Sequence, residues 1–286
     1  MIRAMAATVV DGWRRTPSSD GGALVTPGPE VTVTLPPRSD ELLDAYVAHV
    51  GGRPELYRGR VPPHLFPQWS FGLTRRVFEG LPFSLVRALN GGCRLIQRAP
   101  LPRGEPLACT AWLHAVDESE RRVLLEQRIV TGTDARPAAL EAHFRVFVPR
   151  PRARRRDGPT QKRWRKVPLD VELLAEQRIG AGAGRDFATL TGDINPVHWL
   201  PPYARALGHR SVILHGFGTL ARCIEVLNRE VFQGDVDGWR SIDVRFTHPL
   251  VLPWTVGVFR RGDEVWVGDA PNMRAYLEGA IERTPT

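Results

Sequence analysis

The chain has little of what would tie it together covalently or anchor it in a bilayer. Three cysteines in 286 residues, Cys93, Cys109 and Cys223, stand far apart and form no C-x-x-C pattern. That usage suits a reducing cytosol, so a cytoplasmic protein with small buried thiols is expected. No apolar run approaches the roughly 20 residues needed to cross a membrane, so no membrane segment is predicted. Met1 to Val10 has one early arginine and a short apolar run, but not the hydrophobic core or cleavage site of a secretion signal. His49, His64, His114, His143, His209 and His248 fall at no metal-ligand spacing, and neither a metal nor another cofactor is expected.

A broadly basic surface is also missing, although the formal charge is +8. Arg150 to Lys166 holds nine basic residues and one acid, Asp157, and the remainder balances at 30 of each sign. One stretch therefore carries the whole excess. It reads as a solvated linker, with contact to the phosphates of an acyl-CoA or to an acidic carrier protein as the lesser alternative. Its single aromatic, Trp164, leaves little for base stacking, and nucleic-acid binding is not expected.

What is there concentrates between Phe187 and Thr219. Thr191-Gly192-Asp193 breaks a short helical pattern, and Asn195-Pro196 forces a turn, because a proline ring pushes its predecessor towards extended geometry. His198 leaves that turn five residues after the carboxylate of Asp193. Further on, His215-Gly216 opens a run with Leu220, Ile224, Leu227 and Val231 at helical spacing. A helix start presents unpaired N–H groups and the positive end of a dipole, so Gly216 offers a site for developing negative charge. A carboxylate, an imidazole and an oxyanion site are thus available together.

G-D-x-N-P-x-H followed by H-G before a long helix resembles the MaoC-like family of R-specific enoyl-CoA hydratases. The likeness is closest over Phe187 to Gly216 and weaker over residues 40 to 150. It implies an α+β double hot-dog fold, two antiparallel sheets each wrapped around a central helix. It also implies reversible hydration of a 2-enoyl thioester, on CoA or an acyl-carrier protein, to the (R)-3-hydroxyacyl thioester. Carried over by position, the catalytic residues are Asp193 and His198, flanking the double bond, and Gly216, whose N–H meets the thioester oxygen. Asn195 and Phe217 are the expected substrate-side residues, Asn195 chiefly by holding the loop. Phe187 stands where the family often has Tyr, Phe217 where Met is common, and Trp199 follows His198; these departures bear on pocket shape.

A length of 286 residues suggests two units. We read residues 1–30 as an extension without clear period, 31–149 as a first hot-dog unit, 150–166 as the basic linker and 167–286 as the unit with the motif. The first unit predicts a strand at Val31 to Leu35, a helix from Asp40 to Val50 capped by Ser39 or Asp40, and helical spacing from Phe71 to Leu89, kinked at Pro82 and stopped by Gly91-Gly92. Strands follow at 94–98, 107–116, 121–131 and 139–148, and in the second unit at 240–247, 255–260, 264–268 and 274–281. Gly51 to Tyr57 overlays Gly192 to His198 without a gap, which puts Gly52 in place of the carboxylate and Tyr57 in place of the imidazole. Arg98-Ala99-Pro100-Leu101 likewise resembles Thr247-His248-Pro249-Leu250. The halves read as one unit used twice. The half without the acid and base would give room to the acyl chain, as the resemblance implies, and the double unit is open to pairing again as a homodimer.

Two other function classes stay open. Hot-dog thioesterases tend to carry their carboxylate on the central helix, where this chain has Glu225 and Glu230. A non-catalytic acyl-thioester binder would need neither. His215 reads as a buried structural imidazole rather than an acid or base.

Overall fold

The computed structural model describes residues 24–83, 85, 88–120, 122–150 and 164–285. Most of the N-terminal extension and most of the basic stretch lie outside these. Strands and helices follow one another in two matching runs. The first is β1 (Val31–Leu35), α1 (Asp40–His49), α2 (Pro67–Val77), β2 (Leu89–Gln97), β3 (Leu107–Glu118), β4 (Arg122–Gly132) and β5 (Leu140–Pro149). The second is β6 (Glu172–Ile179), α3 (Ala183–Thr191), a short α4 (Pro201–Ala206), α5 (Gly216–Glu230), β7 (Trp239–Phe246), β8 (Trp254–Arg261), β9 (Glu264–Gly268) and β10 (Ala275–Arg283).

The strands form one antiparallel sheet in the order β1-β3-β4-β5-β2-β7-β10-β9-β8-β6. Read outward from its centre, the first half runs 2-5-4-3-1 and the second 7-10-9-8-6, which is the same order in equivalent strands. The two expected sheets are thus joined edge to edge through β2 and β7, and the junction uses up an edge that each would otherwise expose. Its register pairs Gly92 with Arg245, Arg94 with Asp243 and Ile96 with Ser241. The interval from Arg94 to Asp243 is also the interval from Pro100 to Pro249, so the residue-level repeat and the strand register share one local twofold axis.

Alternation in β4, with Val123, Leu125, Gln127, Ile129 and Thr131 inward, turns one face of the sheet to the helices. Helix α5 lies against that face with eleven of its fifteen residues buried, as a central helix must be. Phe217 at its start is ringed by Phe66, Phe71, Phe144 and Phe246 at 5.1 to 6.1 Å between centroids, so both halves share one aromatic core. Cys93, Cys109 and Cys223 are all buried and unpaired within it. Among the described residues no helix is long and apolar enough to cross a membrane.

Three sequence expectations need correction. The second helix begins at Pro67 and ends at Val77 rather than running from Phe71 to Leu89. Proline at a first helical position is preorganised and loses no bond there, whereas the left-handed Gly80 and then Pro82 prevent continuation. Gly91 and Gly92 lie inside β2, at a bulge against β5, rather than stopping a helix. Strand β6, Glu-Leu-Leu-Ala-Glu-Gln-Arg-Ile, had no strand assigned to it because its composition favours helix and its edge position buries it on neither face regularly.

The two halves are also stitched by a buried polar cluster. Glu225 on α5 is 2% exposed, and its Oε1 accepts from the Tyr57 hydroxyl at 2.7 Å and lies 2.8 Å from His64 Nε2. Asn228 donates to the Tyr57 oxygen at 2.9 Å, and Tyr46 donates to the His64 carbonyl at 2.7 Å. Burial, then the Glu225 charge, pushes both phenols well above their usual range, which keeps them donors. Replacing Glu225 by Ala takes the acceptor from the Tyr57 hydroxyl and from His64 Nε2 inside the core. Chemical denaturation should show a loss of about 3–5 kcal/mol, the usual cost of breaking a buried pair from one side; a loss under about 1 kcal/mol would remove this cluster as a tie between the halves.

Candidate active site

The site is built on the exit from α3. The helix stops at Thr191 because Gly192 turns left-handed at φ 78° and returns its N–H to the Ala188 carbonyl at 2.9 Å. Asn195 is extended before Pro196, and its side chain accepts from the Val197 N–H at 3.2 Å, an Asx turn that starts the single 3-10 turn Pro196–His198. The turn packs hard on α3: a Cβ at Gly184 would come within 2.1 Å of the His198 carbonyl oxygen. Backbone bonds from Ile213 N–H to the Val197 carbonyl and from Leu214 N–H to the Leu250 carbonyl fasten the returning segment beside it.

This places His198 against the strand-like segment that leads into α5. His198 Nδ1 donates to the Ile213 carbonyl at 2.9 Å, so the ring is held in the tautomer whose Nε2 carries the lone pair. Its ring stacks on His215 at 3.5 Å, 23° from parallel. His215 is 1% exposed, donates from Nε2 to the Asp193 carbonyl at 3.0 Å and lies under Phe187 at 4.8 Å. The Asp193 carboxylate sits 3.8 Å from His215 Nε2, and Asp193, His198 and His215 each bring a side-chain N or O within 4.8 Å of the others.

Electrostatics pull the pair together. Burial raises the Asp193 carboxyl above its usual value, opposed by His198 and by a backbone N–H at Asn195. Burial likewise lowers His198, opposed by Asp193 and by its bond to Ile213. His215 is held well below the usual histidine range by burial and by His198 beside it. The combination favours an ionised carboxylate beside two neutral imidazoles at neutral pH. Although three ligand types meet here, two histidines bound to one tetrahedral zinc hold their ring centres about 5 Å apart. Rings stacked at 3.5 Å do not aim at a common ion.

The structure brings Asp193 and His198 together and puts Gly216 directly after His215. Among the described residues the Gly216 N–H has no hydrogen-bond partner; the first bond of α5 is Thr219 N–H to the His215 carbonyl. Asn195 is exposed and holds the loop, as its Asx geometry requires. Phe217 is 3% exposed inside the aromatic cluster, so its ring can shape a pocket wall only from behind. The Ile213 carbonyl was invisible to residue-type reasoning, because any residue supplies one. The two helix carboxylates differ in their surroundings. Glu225 is enclosed, and Glu230 lies at the far end of α5 paired with Arg229 at 2.6 Å.

In the first half Tyr57 ends the 3-10 turn Pro54–Tyr57 as His198 ends its own, and His64 stands before α2 as His215 stands before α5. A Cβ at Gly52 would lie 2.4 Å from the Glu225 carboxylate. The place equivalent to Asp193 is therefore filled from the opposite half.

Comparison with known proteins agrees with this architecture. The MaoC-like domain profile matches residues 165–269. Among curated proteins, the chain is 26% identical over 226 residues to the peroxisomal multifunctional enzyme type 2 of Mus musculus, over 72% of this chain and 30% of that one. It is 26% identical over 253 residues to 3-hydroxyacyl-thioester dehydratase X of Mycobacterium tuberculosis, over 86% of this chain and 85% of that one. The chain thus spans less than a third of the mouse enzyme and most of the mycobacterial one. The crystal structure of HtdX from Mycobacterium tuberculosis superposes with a TM-score of 0.69 at 22% identity, covering 90% of this chain and 100% of that one. A conserved hypothetical protein of the same organism, described as a double hot-dog fold, superposes at 0.59 with 14% identity, over 91% and 97% of the two chains. Residues 165–269 match the MaoC-like domain model, and the chain as a whole shares the hot-dog fold of the structures it superposes on.

Proposed function

We propose that the protein hydrates and dehydrates acyl thioesters, adding water across the C2=C3 bond of a 2-enoyl thioester to give the (R)-3-hydroxyacyl thioester. The observation that carries this is the commitment of His198 Nδ1 to the Ile213 carbonyl, which leaves a basic Nε2 beside the Asp193 carboxylate. A water held between these two groups loses a proton to the pair as its oxygen bonds to C3. Electron density moves to the thioester oxygen, which the Gly216 N–H receives at the start of α5, a contact worth roughly 3 to 4 kcal/mol in comparable sites. The pair then returns a proton to C2, so one water is added in balance. A single water on one face of the alkene makes the addition syn. The thioester is carried on CoA or on a carrier protein, and the exposed Arg205 and Arg210, in a stretch 194–224 that holds no acid, suit the phosphates of either.

The relatives named as a dehydratase of 3-hydroxyacyl thioesters and as a multifunctional enzyme support this class of reaction. A hydrolase working from Glu225 has no support in the geometry, since that carboxylate is consumed by His64 and Tyr57.

Asp193→Asn and His198→Ala should each lower kcat for a short or medium 2-enoyl-CoA by about 10² to 10⁴, with circular dichroism unchanged. Full turnover in either variant would strip that residue of its role. Since Asp193 is raised above 3.8 and His198 lowered below 6.5, the acid limb of kcat/KM should fall between those two values and activity should stay level from pH 6.5 upward towards neutrality. Stability should respond separately. His198 and His215 have depressed folded values, so the stability they contribute is present above pH 6.5 and lost as pH falls through those values. Asp193 acts in the opposite sense. Thermal unfolding followed from pH 7.5 to 5 should therefore show a falling Tm, and a flat profile would contradict the burial of neutral imidazoles.

A further inference from the structure

Away from the site just described, His114 on β3, Glu126 on β4 and His143 on β5 converge on the half-buried face of three adjacent strands, opposite the face that packs on the helices. Each brings one side-chain N or O within 4.8 Å of the other two. The His114 and His143 rings stand at 90° with centroids 5.5 Å apart. Two imidazoles on one tetrahedral ion, with metal–nitrogen bonds of about 2.0–2.1 Å, place their centroids at about 5 Å. The pair is therefore spaced as ligands are, unlike the stacked His198 and His215.

His114 is aimed by the β-bulge between Leu113 and Ala115, and its buried Nδ1 has no hydrogen-bond partner. His143 Nδ1 lies 2.8 Å from Glu126 Oε1, and Nε2 lies 2.6 Å from Glu141 Oε1. Glu141 is itself fixed by Arg98 at 2.6 Å and Arg128 at 2.8 Å, and Arg145 stands 3.7 Å from the far oxygen of Glu126. A ligating histidine whose second nitrogen donates to a well-anchored carboxylate is the usual outer support of a metal site.

We propose that His114, Glu126 and His143 form a binding site for a borderline divalent transition-metal ion such as Zn²⁺, with Glu141 orienting His143 and one coordination position left open. Binding releases the proton shared by His143 Nδ1 and Glu126, and those two atoms separate from 2.8 Å to about 3.3 Å. Two imidazoles and one carboxylate select zinc, nickel, cobalt or copper over magnesium and calcium.

The test is titration of the tag-free, chelator-stripped full chain with ZnCl₂ by calorimetry, and with CoCl₂ by visible absorption. One saturable equivalent of zinc is expected, with the strong visible bands of four-coordinate cobalt and no binding of Mg²⁺. His114→Gln and Glu126→Gln should each weaken zinc at least tenfold, on the order of what outer-shell losses alone produce, while the metal-free thermal unfolding stays close to the parent's. Asp193→Asn should keep the full equivalent. Absence of saturable binding, affinity unchanged in both His114→Gln and Glu126→Gln, or loss of the ion in Asp193→Asn would each overturn the assignment.

Discussion

Everything the candidate active site can do rests on one bond between a side chain and a peptide carbonyl, His198 Nδ1–H to Ile213 O. It decides which nitrogen carries the lone pair, where the ring plane lies and hence where a reacting molecule would stand. The bond exists because a proline-started turn is pressed onto α3 at a position without a Cβ, and because the segment 212–214 is clamped between that turn and residues 250–252. A displacement of an ångström in either partner would undo it.

The surroundings are costly to maintain, and the fold meets the cost with packing. A largely buried carboxylate and two imidazoles, one of them enclosed, lie under aromatic packing: Phe187 over His215, and Tyr46 and His49 of the other half over Phe187. The equivalent region of the first half took a different course. There Tyr57 and His64 meet a glutamate sent across from α5, and both bind the same carboxylate oxygen, Oε1. One half thus retains an open pair of titratable groups, while the other has closed its own.

Much of this was legible in the amino-acid order, and the remainder was hidden for identifiable reasons. Gly192, Asn195 and Pro196 constrain their own backbone, so the loop could be drawn from residue types alone, and so could strands such as β4 whose inward residues alternate cleanly. Helix α2 was misplaced because apolar spacing continued beyond Val77 through a left-handed glycine and a proline that propensity weighed too lightly. The His198–His215 stack joins residues seventeen positions apart on a fold-dependent path, and the carbonyl of Ile213 leaves no mark on composition. The convergence of His114, Glu126 and His143 arises from registers across three strands, where linear spacing carries no information.

The seam between β2 and β7 has a further implication. Equivalent strands meet there about a local dyad, with Arg94 opposite Asp243, inside a single polypeptide. In a protein assembled from separate copies, the meeting of such units would be governed by mass action and would fail on dilution. Here the partner arrives tethered, at an effective concentration that no dilution lowers. The shared aromatic core and everything it supports are accordingly expected to be indifferent to how much of the protein is present.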